Sequence, residues 1–130
     1  MKEAELRLRE KLNQDFALYD ESHWVLVLER DGNVYAAYWQ SLNRLENIGK
    51  SGFDIQITDG VCYILKFEIE ESYRRKGHGT KLLRTIEDFC FTEFSVRRFQ
   101  TTPSGIAKTT GFYEHRGYVS ISEFEVAKDV

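Results

Sequence analysis

The sequence predicts an α/β fold, a central mixed sheet flanked by helices, and three observations carry that reading. Runs rich in β-branched and aromatic residues recur between residues 23 and 69, punctuated by Asp31-Gly32 and Asp59-Gly60, dipeptides that close tight hairpins. Over residues 78–94 the hydrophobic spacing switches to the helical period. Beyond residue 95, strand-type and helix-type segments alternate, which requires crossover connections and at least partly parallel pairing.

Each element has its own justification. Residues 2–17 predict an amphipathic helix, because Ala4, Leu8 and Leu12 recur at four-residue steps with Glu and Arg between them. The segment "HWVLVLERDGNVYAAYWQ" predicts a hairpin with strands 24–30 and 33–40, in which Trp24 and Trp39 pack the sheet or line a cleft. Residues 41–52 are polar and mixed and predict a loop or short irregular helix. "FDIQI" (53–57) predicts a short strand, and "VCYILKFEI" (61–69) is apolar enough for a central one. In the helix over 78–94, Leu82, Leu83, Ile86, Phe89 and Cys90 form one stripe, with Lys81, Arg84, Glu87 and Asp88 outside it. "VRRFQTT" (96–102) predicts a strand, Pro103-Ser104-Gly105 a turn, and 106–116 a short helix stopped by Gly117. "YVSISEFEV" (118–126) alternates and predicts a final strand.

With 130 residues, the expectation is one domain over 1–130, large enough to bury a core without staples. The net charge of −3 and pI near 5.7 argue against a nucleic-acid binder, which needs a surplus of Lys and Arg. Two cysteines, Cys62 and Cys90, sit among apolar residues and read as buried thiols. His23 and His115 lack metal-ligand spacing with any Cys or with each other, so no metal is expected. The start "MKEAELRLREKL" has no signal-peptide run and no segment has the length of a membrane span, so the expected location is cytoplasmic, away from membranes.

The densest positive cluster falls in "SYRRKGHGTKLL" (72–83). A strand ends at Ile69, a short turn carries Arg74, Arg75 and Lys76, and Gly77-His78-Gly79-Thr80 opens a helix. This is the layout of an anion site: the first-turn N–H groups lack intrahelical partners, the helix dipole adds about half a positive charge, and glycine leaves the backbone bare. It is neither a full dinucleotide fingerprint, since residue 82 is Leu, nor a Walker loop.

In its wider setting, "FEIEESYRRKGHGTKLL" resembles the acyl-CoA signature of the GNAT superfamily of N-acetyltransferases. That signature is an apolar strand end, polar residues, an aromatic (here Tyr73), then Arg/Gln-x-x-Gly-x-Gly/Ala. Downstream, "GFYEHRGYV" (111–119) resembles the family's "FYEKLGF" segment, and "VLERDGNVYAAY" its second and third strands. The likeness runs over roughly residues 23–126.

The resemblance implies a GNAT-like fold whose fourth and fifth strands splay apart, with acetyl-CoA as co-substrate. The pantetheine arm would pair with the backbone of Phe67 and Ile69, and the pyrophosphate would sit on the amides of Arg75 to Thr80. Arg74, Arg75 and Lys76 are candidate phosphate contacts, and His78 is a candidate hydrogen-bond partner. An amine-bearing acceptor, a small molecule or a protein amino group, would attack the thioester directly in a ternary complex. A backbone N–H near the end of the fourth strand would stabilise the oxyanion, and Tyr113, at the family's general-acid position, would protonate the leaving thiolate. For the base, the positions early in the strand are Cys62 and Tyr63, and Glu68 faces away from Phe67, so water-mediated deprotonation is expected.

Three features depart from the family pattern. The Asn that often holds the cofactor arm is missing from "TTPSGIAKTT", leaving Ser104, Thr101 or Lys108. One helix alone precedes the hairpin, so the first strand is expected to be absent. Loop 41–52 and the N-terminal helix would shape the acceptor pocket, but no residue there identifies an acceptor. These departures keep open an alternative, an acyl-CoA-binding or protein-interaction module with little or no catalysis. Family members often dimerise, and a homodimer is compatible with the sequence.

Overall fold

The computed structural model describes residues 2–15, 22–28, 34–41, 51–68 and 77–130. Helix α1 spans Lys2–Asp15 and the first hairpin pairs β1 (Ser22–Leu28) with β2 (Val34–Ser41). In that pair Trp24 lies directly opposite Trp39. Next come β3 (Ser51–Thr58), β4 (Val61–Glu68), α2 (His78–Phe94), β5 (Arg98–Thr101) and α3 (Gly105–Thr110). A 3-10 turn over Glu114–Arg116, β6 (Val119–Ser120) and β7 (Val126–Asp129) complete the chain.

The strands form one mixed sheet in the order β1-β2-β3-β4-β5-β7-β6. Neighbours are antiparallel except β4 and β5, which α2 joins as a parallel pair. The hairpin 22–41 thus takes the first and second places rather than the second and third, residues 51–58 supply the third, and no place before the fourth strand is empty. Asp59 and Gly60 both take positive φ, 51° and 77°, the pair that the tight β3–β4 turn requires.

The core lies where α1 and α2 meet the sheet. Leu8 and Leu12, one turn apart on α1, are fully buried, each contributing roughly 1.5–3 kcal/mol. The ion pairs Arg7–Glu93 and Lys11–Asp88 tie α1 to α2 but are exposed, and add about 0–1 kcal/mol each. The stripe predicted for α2 is buried against Ile55, Cys62, Ile64 and Phe99. The thiols of Cys62 and Cys90 meet beneath α2. Their contact, then burial, pushes the Cys90 thiol well up, so it stays protonated.

Two predicted elements and one residue differ. The helix expected over 106–116 breaks at Gly111, whose φ of 66° ends α3, and its N–H bonds back to Ala107. The chain resumes as the 3-10 turn, stopped by Gly117 at φ 94° as expected. The strand expected over 118–126 is a hairpin: Ile121 N–H bonds to Glu125 O across bends at 121–124, so the edge partner of β7 comes from its own upstream segment. Glu87, expected on the solvent face of α2, is buried, because Tyr118 OH (2.8 Å) and Lys128 Nζ (3.3 Å) reach it from the C-terminal hairpin.

Candidate functional site

The site begins with a register defect in β4. Ile64 pairs with Ile55 and Lys66 with Asp54, so Leu65 is an extra residue, a β-bulge. The bulge resets the alternation: Phe67 shares the inner face with Cys62 and Ile64, opposite Phe53, while Leu65 projects outward, 60% exposed. It also marks the end of pairing with β5, whose last rung is Ile64–Thr101. Thr101 Oγ1 donates to the Ile64 carbonyl at 2.8 Å and stitches that rung, after which the chain turns off at Thr102-Pro103. From Leu65 to Glu68, β4 presents a backbone edge to which no described strand is added.

Below that edge lies a cavity of about 650 Å³, a size suited to a small-molecule ligand. Its walls are β4 from Ile64 to Glu68, the front of α2 from Gly77 to Thr80, the turn 101–105 with α3, and the Phe112–Arg116 segment. At the α2 end, Gly77 caps the helix in a left-handed conformation, φ 82°, which a side chain resists. The first helical bond runs from Lys81 N–H to Gly77 O, so the Gly79 and Thr80 N–H groups are left over from the ladder. His78 is buried on the cavity wall, and burial, then Lys81, lowers its pKa.

On the same lining, Tyr113 is 3% exposed within an aromatic cluster. Its ring meets Phe112 and Tyr118 at 5.2 Å and Phe67 at 6.2 Å, each edge-on, the favourable arrangement for paired rings. Burial pushes the phenol up to about 12, and the neighbouring Thr101 hydroxyl pulls the other way. The phenol is therefore protonated at neutral pH, and it stands beside the last rung before β4 and β5 part.

Of the residues that sequence reasoning selected, Phe67, Gly77, His78, Gly79, Thr80 and Tyr113 line this one cavity. Ile69, Arg74, Arg75 and Lys76 lie outside the described residues. Thr101 and Ser104, two of the three substitutes for the missing Asn, also line it, whereas Lys108 borders a separate small depression. Ser104 sits at the N-cap of α3 without spending its hydroxyl on a capping bond. Glu68 is exposed and pairs with Gly52 on the face opposite Phe67, as its register implied. It is the one carboxylate on the described wall.

Sequence reasoning missed Arg116. Its guanidinium donates to Thr80 Oγ1 (2.8 Å from Nε) and to Phe112 O (2.7 Å), and stacks 4.0 Å from the Phe112 ring centroid. The available signal was a cation where the resembling segment has leucine. The bulge left no such trace, since "ILKFE" reads as regular strand.

The acetyltransferase (GNAT) family profile matches residues 2–118. No curated protein matches the chain. Among solved structures, an acetyltransferase from Streptococcus agalactiae is 14% identical with a TM-score of 0.64, over 92% of this chain and 77% of its own. A GNAT family acetyltransferase from Elizabethkingia anophelis with acetyl-CoA bound is 8% identical with a TM-score of 0.59, over 85% and 99%. The PaiA N-acetyltransferase from Thermoplasma acidophilum in complex with coenzyme A is 13% identical with a TM-score of 0.54, over 75% and 62%. At these identities the likeness is one of fold.

Proposed function

Because the chain belongs to the acetyltransferase (GNAT) family, we propose that it transfers an acetyl group from acetyl-CoA to a primary amine, by direct attack within a ternary complex. The thioester supplies an activated acyl carbon, and the residues of the cleft do the rest. Donors at the front of α2 hold the diphosphate. The edge of β4 beyond Ile64, to which no described strand is added, binds the pantetheine amides, with Ser104 in the place of the missing Asn. A β4 backbone N–H near the bulge stabilises the carbonyl oxygen as it gains charge.

Tyr113 protonates the departing thiolate. The single observation that supports this most is its position: a buried, protonated phenol at the parting of β4 and β5, on the wall of the same cavity as the α2 N-terminus. Among the described residues the one carboxylate on the wall is the exposed Glu68, and His78 stands at the diphosphate end beside Gly77 and Gly79, so deprotonation of the amine is assigned to water.

The test is release of free thiol from acetyl-CoA with a panel of amines, alongside thermal stabilisation by CoA. The expected result is stabilisation by CoA together with thiol release that Tyr113→Phe abolishes. Stabilisation without release on any amine would instead identify a binding module, and indifference to CoA would overturn both readings.

A further inference from the structure

The geometry points to Arg116 as the cation that anchors the diphosphate of the acyl carrier at the front of α2. This rests on the acyl-CoA reading above and adds a residue that neither the glycine loop nor its basic cluster contains.

The first ground is position. Nε and Nη2 of Arg116 both donate to Thr80 Oγ1, and Thr80 stands in the first turn of α2. The positive charge is therefore one side chain away from the N–H groups left over at the helix front, and it lines the same cavity. Nη1 donates to Phe112 O, which leaves one N–H on each terminal nitrogen, a fork that matches two phosphate oxygens.

The second ground is charge. Both acceptors of Arg116 are neutral, and among the described residues no carboxylate pairs with it. Several other cations among the described residues are matched: Arg7 by Glu93, Arg98 by Asp129, Lys128 by Glu87. Burial, then the like charge of Arg84, lowers the pKa of Arg116. A partly buried guanidinium without a counter-ion, next to a second cation, is a site whose missing charge an anion supplies.

The third ground is rigidity. Stacking on Phe112 and three hydrogen bonds fix the side chain before any ligand arrives, so binding costs little rotamer entropy.

Calorimetric titration of the full chain with CoA and dephospho-CoA, and thermal shift with millimolar pantetheine, test the assignment in wild type, Arg116→Leu and Arg116→Lys. Arg116→Leu should weaken CoA and dephospho-CoA alike by about 10–100-fold and leave the pantetheine response unchanged. Arg116→Lys, which keeps the charge without the fork, should lose roughly 3–10-fold. It carries the test if the leucine variant does not fold. Equal loss with all three ligands would reduce Arg116 to a structural staple. Loss with CoA alone would move the contact to the 3′-phosphate. A CoA affinity within about twofold of wild type would end the proposal on its own. A wild-type chain that takes no CoA would end the acyl-CoA reading, and this inference with it.

Discussion

Tyr113 and Tyr118 share one short segment, their rings 5.2 Å apart and both nearly inaccessible, yet their hydroxyls meet different surroundings. The Tyr118 hydroxyl donates to Glu87 at 2.8 Å, with Lys128 over the ring and on the same carboxylate. Burial and then Glu87 push its pKa far up, and its proton is committed to a fixed acceptor. Tyr113 faces a neutral hydroxyl and borders the cavity, and burial alone raises it, to about 12. A phenol becomes a usable acid through what it can reach: a carboxylate in fixed contact turns it into structure, and an open cleft leaves its proton available.

The most drastic way to break this comparison is Tyr113→Phe. It should lower kcat for thiol release by about 10²–10⁴-fold while the Kd for CoA stays within about threefold, as stopped assays and calorimetry would read. Tyr118→Phe should reverse the pattern. Loss of a buried bond to a charged acceptor costs roughly 1.5–3 kcal/mol, read as a lower Tm and urea midpoint, while kcat falls less than about tenfold. A Tyr118→Phe variant that kept its stability and lost its activity would exchange the two roles.

Gly77→Ala moves the test to the binding end. Forcing a side chain into the left-handed region costs about 1–2 kcal/mol, so Tm should drop and CoA should bind roughly tenfold more weakly, with kcat at saturation preserved. The smallest effect is on pH dependence. The folded pKa of Tyr113 is raised above its ordinary value of 10.0, so its contribution to stability is complete below about pH 10. That contribution is lost as pH climbs through about 12. Unfolding midpoints between pH 9 and 11.5 should therefore fall less steeply in Tyr113→Phe than in wild type, while the activity of the folded wild type should hold until pH nears 12.

Much of this was legible residue by residue. Helix α2 has the bounds and the buried stripe that its periodicity implied, because a long amphipathic pattern is a local property. Both Asp-Gly pairs separate paired strands, and Asp59-Gly60 takes the turn geometry that such pairs favour. What escaped was set by distant partners. Glu87 is one residue past Ile86 and looks like a solvated charge until Tyr118 and Lys128 arrive from the other end of the chain. Arg116 looks like a surface cation until Thr80 and Phe112 capture it. Gly111 breaks a helix that apolar spacing alone would continue. In "YVSISEFEV" the alternation masked the bends over Ile121–Phe124 that fold the segment on itself.

The extra residue at Leu65 works like a shift of reading frame written into the backbone. Were Leu65 instead to take its turn in an unbroken ladder between β3 and β4, every side chain downstream would be inverted. Phe67 would swing out of the aromatic cluster and Glu68 would be driven in beneath Phe112 and Tyr113. A bulge-free register would thus unmake the cleft, and the chain tolerates its own irregularity because the alternative is a carboxylate buried among rings.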